Sequence, residues 1–186
     1  DDNINILEGG TDSVWSYSRV LGGDGNDKVV LEGDFYNQRN STFSGGAGDD
    51  IIDTSNAVNS SGEGTYLEGG TGNDYIEGSS GDDTIYGDYR SFFPGDEYIG
   101  DDHDDYIESG SGDDTIYGGH NDDVIEAGGG NDFIYGSTAY GTKGDDGSID
   151  IAVFSGTSSD YKVSRATDVD YGYVYYIQDT RDDSPD

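Results

Sequence analysis

Between Ser109 and Gly136 the chain reads SGSGDDTIYGGHNDDVIEAGGGNDFIYG. Asp114, Asp123 and Asp132 fall nine residues apart, and Ile116, Ile125 and Ile134 keep the same step two residues later. A period this short constrains the fold severely. Each unit is too small to enclose a core of its own, so successive units must stack and share one, which is the logic of a solenoid. Further units are GGTGNDYIE from Gly69, GSSGDDTIY from Gly78 and GDDHDDYIE from Gly100, with isolated copies GGDGNDKVV at Gly22 and GGAGDDIID at Gly45. The shared pattern is G-G-x-G-x-D-x-U-x, where U is a large apolar residue.

The interruptions are regular too. Asp27, Asp50 and Asp74 stand at wider, nearly equal steps, each a nine-residue unit plus a longer, looser one. Within 87–99, SFFPGDEYI puts Asp96 and Tyr98 nine residues ahead of Asp105 and Ile107, which reads as a degenerate unit without its glycines. Asp150 lies two unit lengths beyond Asp132, with 136–144 between them as a glycine-rich unit lacking an aspartate. From residue 151 the pattern changes. IAVFSG, DYKVSR and GYVYYIQD read as β-branched and aromatic strands divided by turn residues, an antiparallel cap over 151–180 that closes the exposed end of the stack. The expected organisation is a degenerate N-terminal edge over 1–21, a repeat region over 22–150 and capping strands over 151–186. A chain that opens on Asp1-Asp2 reads as an excerpt of a longer protein.

Nine residues divide into a six-residue turn and a three-residue strand. Side chains alternate faces along a strand, so position eight points one way and positions seven and nine the other. Position eight is Val29, Ile52, Ile76, Ile85, Tyr98, Ile107, Ile116, Ile125, Ile134 and Ala152, an inward column with one residue per unit. The turn glycines permit positive φ, where a Cβ clashes. His103 and Asn121 replace the fourth-position glycine, and both are types enriched at positive φ. The expected fold class is all-β, a solenoid of stacked coils with a short antiparallel C-terminal cap.

The energetics call for a cation. One buried isoleucine contributes roughly 2–3 kcal/mol, whereas ordering a backbone costs roughly 1–2 kcal/mol per residue over nine residues. The chain carries 41 acidic and 8 basic side chains, 32 glycines, only 31% hydrophobic residues and a formal charge of −33. Two units make a full coil, so aspartates two units apart stack at about 4.8 Å and repel unless a positive charge lies between them. Calcium fits: it is hard, takes six to eight oxygens and mixes carboxylates with carbonyls in flexible geometry. Zinc calls for histidine or cysteine, and magnesium for stricter octahedral geometry. The same charge argues against nucleic acid and anionic membrane as partners. There are no cysteines, which removes disulfide and thiolate frameworks. No apolar run approaches the roughly 18–20 residues of a membrane span, so membrane insertion by this segment is not expected.

Over about residues 22–152 these units resemble the RTX (repeats-in-toxin, haemolysin-type) calcium-binding nonapeptides, and the segment DIAVFSG…DYKV…IQDTRDDSPD is similar to the stretch after the last repeat in that family. The resemblance implies a right-handed parallel β-roll, a β-solenoid with ions between turns one coil apart, held by sixth-position aspartates and by carbonyls of the first four positions. Carried onto this chain, one row of ligands is Asp27, Asp50, Asp74, Asp96, Asp114, Asp132 and Asp150, and the other is Asp83, Asp105 and Asp123. The implied carbonyls belong to Gly22, Gly23, Gly25, Gly45, Gly46, Ala47, Gly48, Gly69, Gly70, Thr71, Gly72 and Gly81 in the upstream turns. Downstream they belong to Gly100, Asp102, Ser109, Gly110, Gly112, Gly118, Gly119, His120, Asn121, Ala127 and Gly129. Gly110, Gly112 and Asp114 share an ion with Ala127, Gly129 and Asp132 in this reading. On the order of six to eight calcium ions follow.

Catalysis is not expected. His103 and His120 both sit inside repeat turns, and no Ser/His/Asp or Cys/His arrangement stands out. DVDYG at 168–172 has its glycine one place too early for an EF-hand loop. Outward residues do form columns: Tyr117 with Tyr135 and Thr115 with Phe133 on one face, Glu108 with Glu126 on the other. Tyr117, Phe133 and Tyr135 are therefore candidates for gripping carbohydrate or a cell surface, set against plain cross-strand stacking. The resemblance implies a non-enzymatic module of a secreted or surface-attached bacterial protein. It would be exported by type I secretion machinery and would fold on extracellular calcium, in support of a larger chain. The alternatives are an adhesin segment acting through the aromatic ladder, or the tail of an extracellular enzyme such as a metalloprotease, lipase or alginate epimerase.

Overall fold

The computed structural model describes residues 2–8, 19–34, 42–58, 63–88, 103–137, 149–154, 161–168 and 172–179. Among these residues every regular element is a strand. In chain order they are β1 (Asn3–Glu8), β2 (Arg19–Asp24), β3 (Lys28–Asp34), β4 (Thr42–Ala47), β5 (Ile51–Asp53), β6 (Ala57–Val58), β7 (Glu63–Thr71) and β8 (Tyr75–Glu77). They continue as β9 (Asp82–Asp88), β10 (Tyr106–Glu108), β11 (Thr115–Gly119), β12 (Val124–Glu126), β13 (Phe133–Ser137), β14 (Ile151–Val153), β15 (Tyr161–Asp168) and β16 (Gly172–Asp179).

The chain winds between two parallel sheets. One runs β1-β3-β5-β8-β10-β12-β14, with β6 beside β3, and the other runs β2-β4-β7-β9-β11-β13. This is a parallel β-roll. Its core is the apolar column between the sheets: Val29, Ile52, Ile76, Ile85, Ile107, Ile116 and Ile125 are fully buried, and Ile134 packs against them. The second sheet adds Val20, Phe43 and Leu67 to that column. These lie two residues before a glycine pair (VLGG, FSGG, LEGG), the same offset that Ile116 keeps in IYGG.

Register departs from the nine-residue arithmetic at two places. Ile76 pairs directly with Ile107, and Ile85 with Ile116, so both coils close across 87–99 without counting it as a unit. Asp96, Tyr98, Gly100 and Asp102 lie outside the described residues. Likewise Ile125 pairs with Ala152, three unit lengths on instead of two, so 136–144 is no unit either. Ile151–Val153 continues the parallel sheet rather than an antiparallel cap, and Ala152, placed in the core by its spacing, is exposed on that sheet's last strand. The antiparallel part is the β15–β16 hairpin, paired from Tyr161↔Asp179 to Asp168↔Gly172, whose last pair brackets DVDYG. At the other end β1 pairs with β3 as a full member of the roll.

Candidate metal centre

The aspartates line up along the two edges where the chain crosses between sheets. The first edge carries Asp27, Asp50, Asp74, Asp105, Asp123 and Asp150. Each backbone N–H donates to Oδ1 of the next aspartate at 2.7, 2.8, 2.9, 2.9 and 3.3 Å in turn. The second edge carries Asp83, Asp114 and Asp132, joined in the same way at 2.7 and 3.0 Å. The rows that the resemblance implied have Asp105 and Asp123 exchanged with Asp114 and Asp132. The error comes from counting the Asp96 stretch as a unit, which inverts the alternation for every later turn until the equally spurious 136–144 unit restores it at Asp150.

With Oδ1 committed to the neighbouring coil, Oδ2 turns into its own glycine loop. In Asp50, Asp74, Asp114 and Asp123 this oxygen is buried and has no hydrogen-bond partner. These four residues are at most 3% exposed. An orphaned carboxylate oxygen in a dry site costs several kcal/mol unless a cation meets it. Burial raises their carboxyls, and neighbouring aspartates raise them further: Asp50 to about 6, Asp114 to about 7, Asp74 to about 8 and Asp123 to about 9. Asp105 is held at about 8 and Asp132 at about 6, again chiefly by burial.

Carbonyls converge on the same places. A Cβ on Gly118 would lie 2.6 Å from the Gly136 carbonyl oxygen and directly against Asp123 Oδ2, so both oxygens border one small space. Third-position carbonyls of Ala47, Thr71 and Gly129 accept the fourth-position N–H of Gly25, Gly48 and Gly112 at 2.7, 2.7 and 2.9 Å. Gly110 O accepts from Gly129 N at 3.0 Å, and Ala127 O accepts from the Ser109 hydroxyl at 2.6 Å. A carbonyl has two lone pairs, so each keeps capacity for an ion. Second and fourth positions take positive φ, for example 116° and 114° at Gly23 and Gly25, and Asn121 follows at 71° as its type implies. The same expectation for His103 depends on Asp102, outside the described residues. Among the described residues no three His, Cys, Asp or Glu side chains form a ligand cluster. The donor set is thus paired carboxylates with carbonyls, all hard oxygens, which suits calcium and not zinc.

Several participants are not among the residues expected from the sequence. Gly87 and Gly136 take the first position in the turns that end at Asp105 and Asp150, since a Cβ on either would strike that aspartate's Oδ2. The glycine right after Ile-Tyr (IYG at 85–87 and 134–136) was the available signal. A second, exposed ladder runs outside the first. Oδ1 of Asn26, Asp49, Asn73 and Asp104 accepts the N–H of Asp49, Asn73, Asp104 and Asp122 at 3.2, 3.1, 3.0 and 3.2 Å. Asp82, Asp113 and Asn131 repeat it on the other edge at 2.9 and 2.8 Å. These are the residues just before each aspartate of the two rows, and the recurring Asn-Asp or Asp-Asp pair is their mark in the sequence. Asp88 accepts from His120 N at 2.8 Å, with its carboxylate 3.2 Å from His120 Nδ1, which makes His120 a turn residue.

The aromatic column is real and longer than two rungs. Tyr86, Tyr117 and Tyr135 stack at 4.6 and 4.7 Å between ring centroids, and Tyr66 joins at 5.3 Å. Tyr75 and Tyr106 stack at 5.5 Å on the other sheet, where Glu77, Glu108 and Glu126 run in register. Ring faces that cover one another stiffen the sheet, and each such pair adds about 0.5–1.5 kcal/mol beyond burial. Phe133 lies in the neighbouring file, paired with Thr115, and stands open at 52% exposure.

A family model described as the RTX calcium-binding nonapeptide repeat (4 copies) matches residues 37–57, 61–88 and 99–134. No curated protein and no solved structure matched the chain. Among the described residues no helix is long and apolar enough to cross a membrane.

Proposed function

The chain belongs, across residues 37–134, to the RTX calcium-binding nonapeptide repeat family, and we propose that it is a non-enzymatic module which folds when it meets extracellular calcium. The observation that carries this reading is the set of buried Oδ2 atoms on Asp50, Asp74, Asp114 and Asp123, which meet no hydrogen-bond donor. Calcium would be held in the five gaps of the first aspartate row and in the Asp114–Asp132 gap of the second, six ions in all. When bound, the ion supplies the positive charge that lets neighbouring carboxylates sit one strand apart. The chain's own residues do the rest. Oδ1 fixes the register of adjacent coils, the glycine turns deliver carbonyls, and the isoleucine column seals the interior. At low calcium the charge of −33 keeps the chain extended, a state suited to export through a narrow type I channel. Outside the cell, binding becomes folding free energy at the 10⁻⁴–10⁻³ M affinities typical of extracellular modules. Far-UV circular dichroism in EDTA, followed by a calcium titration with magnesium as the control, tests it. A steep gain of β signal with calcium alone supports the module; a spectrum unchanged by calcium refutes it.

A further inference from the structure

One aspartate does not share the predicament of the others. Asp83 is 1% exposed, yet both of its carboxylate oxygens are occupied. Oδ1 accepts the Thr65 N–H, the Thr65 hydroxyl at 2.8 Å and the Ser79 hydroxyl at 3.0 Å. Oδ2, the atom left orphaned in Asp50, Asp74, Asp114 and Asp123, accepts the Ser79 N–H at 2.7 Å and lies 3.1 Å from the Ser79 hydroxyl. Thr65 donates its N–H where an aspartate stands in every other gap, so it holds the sixth position of the preceding turn. An ion there would find one carboxylate instead of two.

The backbone agrees with the side chains. In the following turn Gly110 and Gly112 have φ of 101° and 128°, whereas Ser79 and Gly81, at the equivalent positions, lack positive φ. The loop folds in on itself, and the Gly81 N–H donates to Ser79 Oγ at 3.3 Å. Charge-assisted hydrogen bonds from amides and hydroxyls stabilise a buried carboxylate about twice as well as neutral pairs do. An ion would have to displace them.

Resting on the calcium reading above, we propose that the Gly78–Asp83 turn closes on the hydroxyls of Ser79 and Thr65 in place of calcium, so that the second row of ion sites begins at Asp114. This gives one coil of the roll, between β7 and β9, a carboxylate satisfied without metal.

The test is the number of calcium ions bound per full-length chain, by equilibrium dialysis and atomic emission, with melting temperature recorded in parallel. Asp83→Asn is expected to bind as many ions as the wild type while melting lower, because hydrogen bonds are lost and ligands are not. Asp123→Asn binds fewer and serves as the positive control. Ser79→Gly removes the hydroxyl that faces both Asp83 oxygens and lets residue 79 take the positive φ that Gly110 has, which would turn its N–H away from Oδ2, so the variant is expected to bind one ion more. An Asp83→Asn chain that loses an ion overturns the assignment. Should that variant not fold, Ser79→Gly decides, since an unchanged or lower count refutes it. A wild type that binds no calcium sinks the module reading itself, an outcome distinct from any of these.

Discussion

Acid should do part of what calcium does. Asp74 is 3% exposed, and its carboxyl is pushed from 3.8 to about 8, mainly by burial and then by Asp50 and Asp88. The folded, metal-free chain therefore holds this proton more tightly than the unfolded chain. Its contribution to stability is complete below about 3.8 and is lost as pH rises through about 8. Between pH 7.5 and 5.0 that amounts to about 3 kcal/mol for Asp74 alone, at about 1.4 kcal/mol per pH unit, or on the order of a hundredfold in the folding equilibrium. Asp105 and Asp123, held at about 8 and about 9, act in the same direction. They are coupled along one row, so their contributions do not simply add. A typical domain is stable by only about 5–15 kcal/mol, so a change of this size is decisive. In EDTA the chain should be disordered at pH 7.5 and should gain β signal on going to pH 5.0, still above its pI of about 4.1. Sedimentation velocity separates folding from association. In calcium the dependence reverses, because protons compete with the ion for the same oxygens and affinity falls as pH drops. If the EDTA sample stays disordered at pH 5.0 while calcium folds it at pH 7.5, carboxylate repulsion is not what keeps the metal-free chain open.

Asp123→Asn should raise the calcium midpoint by roughly tenfold or more, since this residue borders two gaps and ligand charge sets affinity; isothermal titration calorimetry measures it. Ile116→Ala removes a fully buried side chain between Ile85 and Ile134 and should cost about 2–5 kcal/mol in calcium-saturated denaturation, with the ion count unchanged. Two glycine variants should behave differently. At Gly23 an added Cβ meets nothing within 4 Å but φ is 116°, so Gly23→Ala costs backbone strain of roughly 1–2 kcal/mol. At Gly118 the Cβ fills the space bordered by Asp123 Oδ2 and Gly136 O, so Gly118→Ala should weaken calcium binding as well as stability. Equal calcium titrations for the two variants would contradict the placement of ions in that space.

The repeat fixes everything local and nothing about phase. The aspartates that line the edges, the inward isoleucines and the glycine turns follow from nine residues of stereochemistry, because each is a constraint inside one unit. Which aspartates face each other is a property of the whole coil, and it depends on knowing where a unit is missing. The SFFPGDEYI stretch satisfies the spacing of an aspartate and an apolar residue, yet Ile76 pairs directly with Ile107. What that stretch lacks is glycine at the first, second and fourth positions, which hold Ser91, Phe92 and Pro94, and a Cβ disfavours the positive φ that the second and fourth positions take in the described turns. The glycine after each Ile-Tyr pair marks the true turn starts at Gly87 and Gly136, and taking those first puts Asp105 beside Asp74. Phe43 and Leu67 escape for a related reason: they occur in half-coils with no aspartate, so a search anchored on aspartate passes over them.

That division explains how the roll tolerates coils of such unequal length. Neighbouring aspartates in the first row are 23, 24, 31, 18 and 27 residues apart, yet each presents Oδ1 to the N–H of the one before. Among the described residues one bulge in β7, between Glu63 and Tyr66, interrupts the pairing with β9; elsewhere the core column and both sheets keep register across coils of very different length. A turn can accept such an insertion because its ends are pinned twice, by the aspartate at its close and by the glycine at its start. Gly87 and Asp105 show this most directly: remote in sequence, they meet so closely that a single Cβ on the glycine would strike the carboxylate. An ion shared between adjacent turns would draw together those same two points. On the proposed calcium reading the site would not decorate a fold that the core has already set; in a chain with so thin a core, it would decide which coil lies on which.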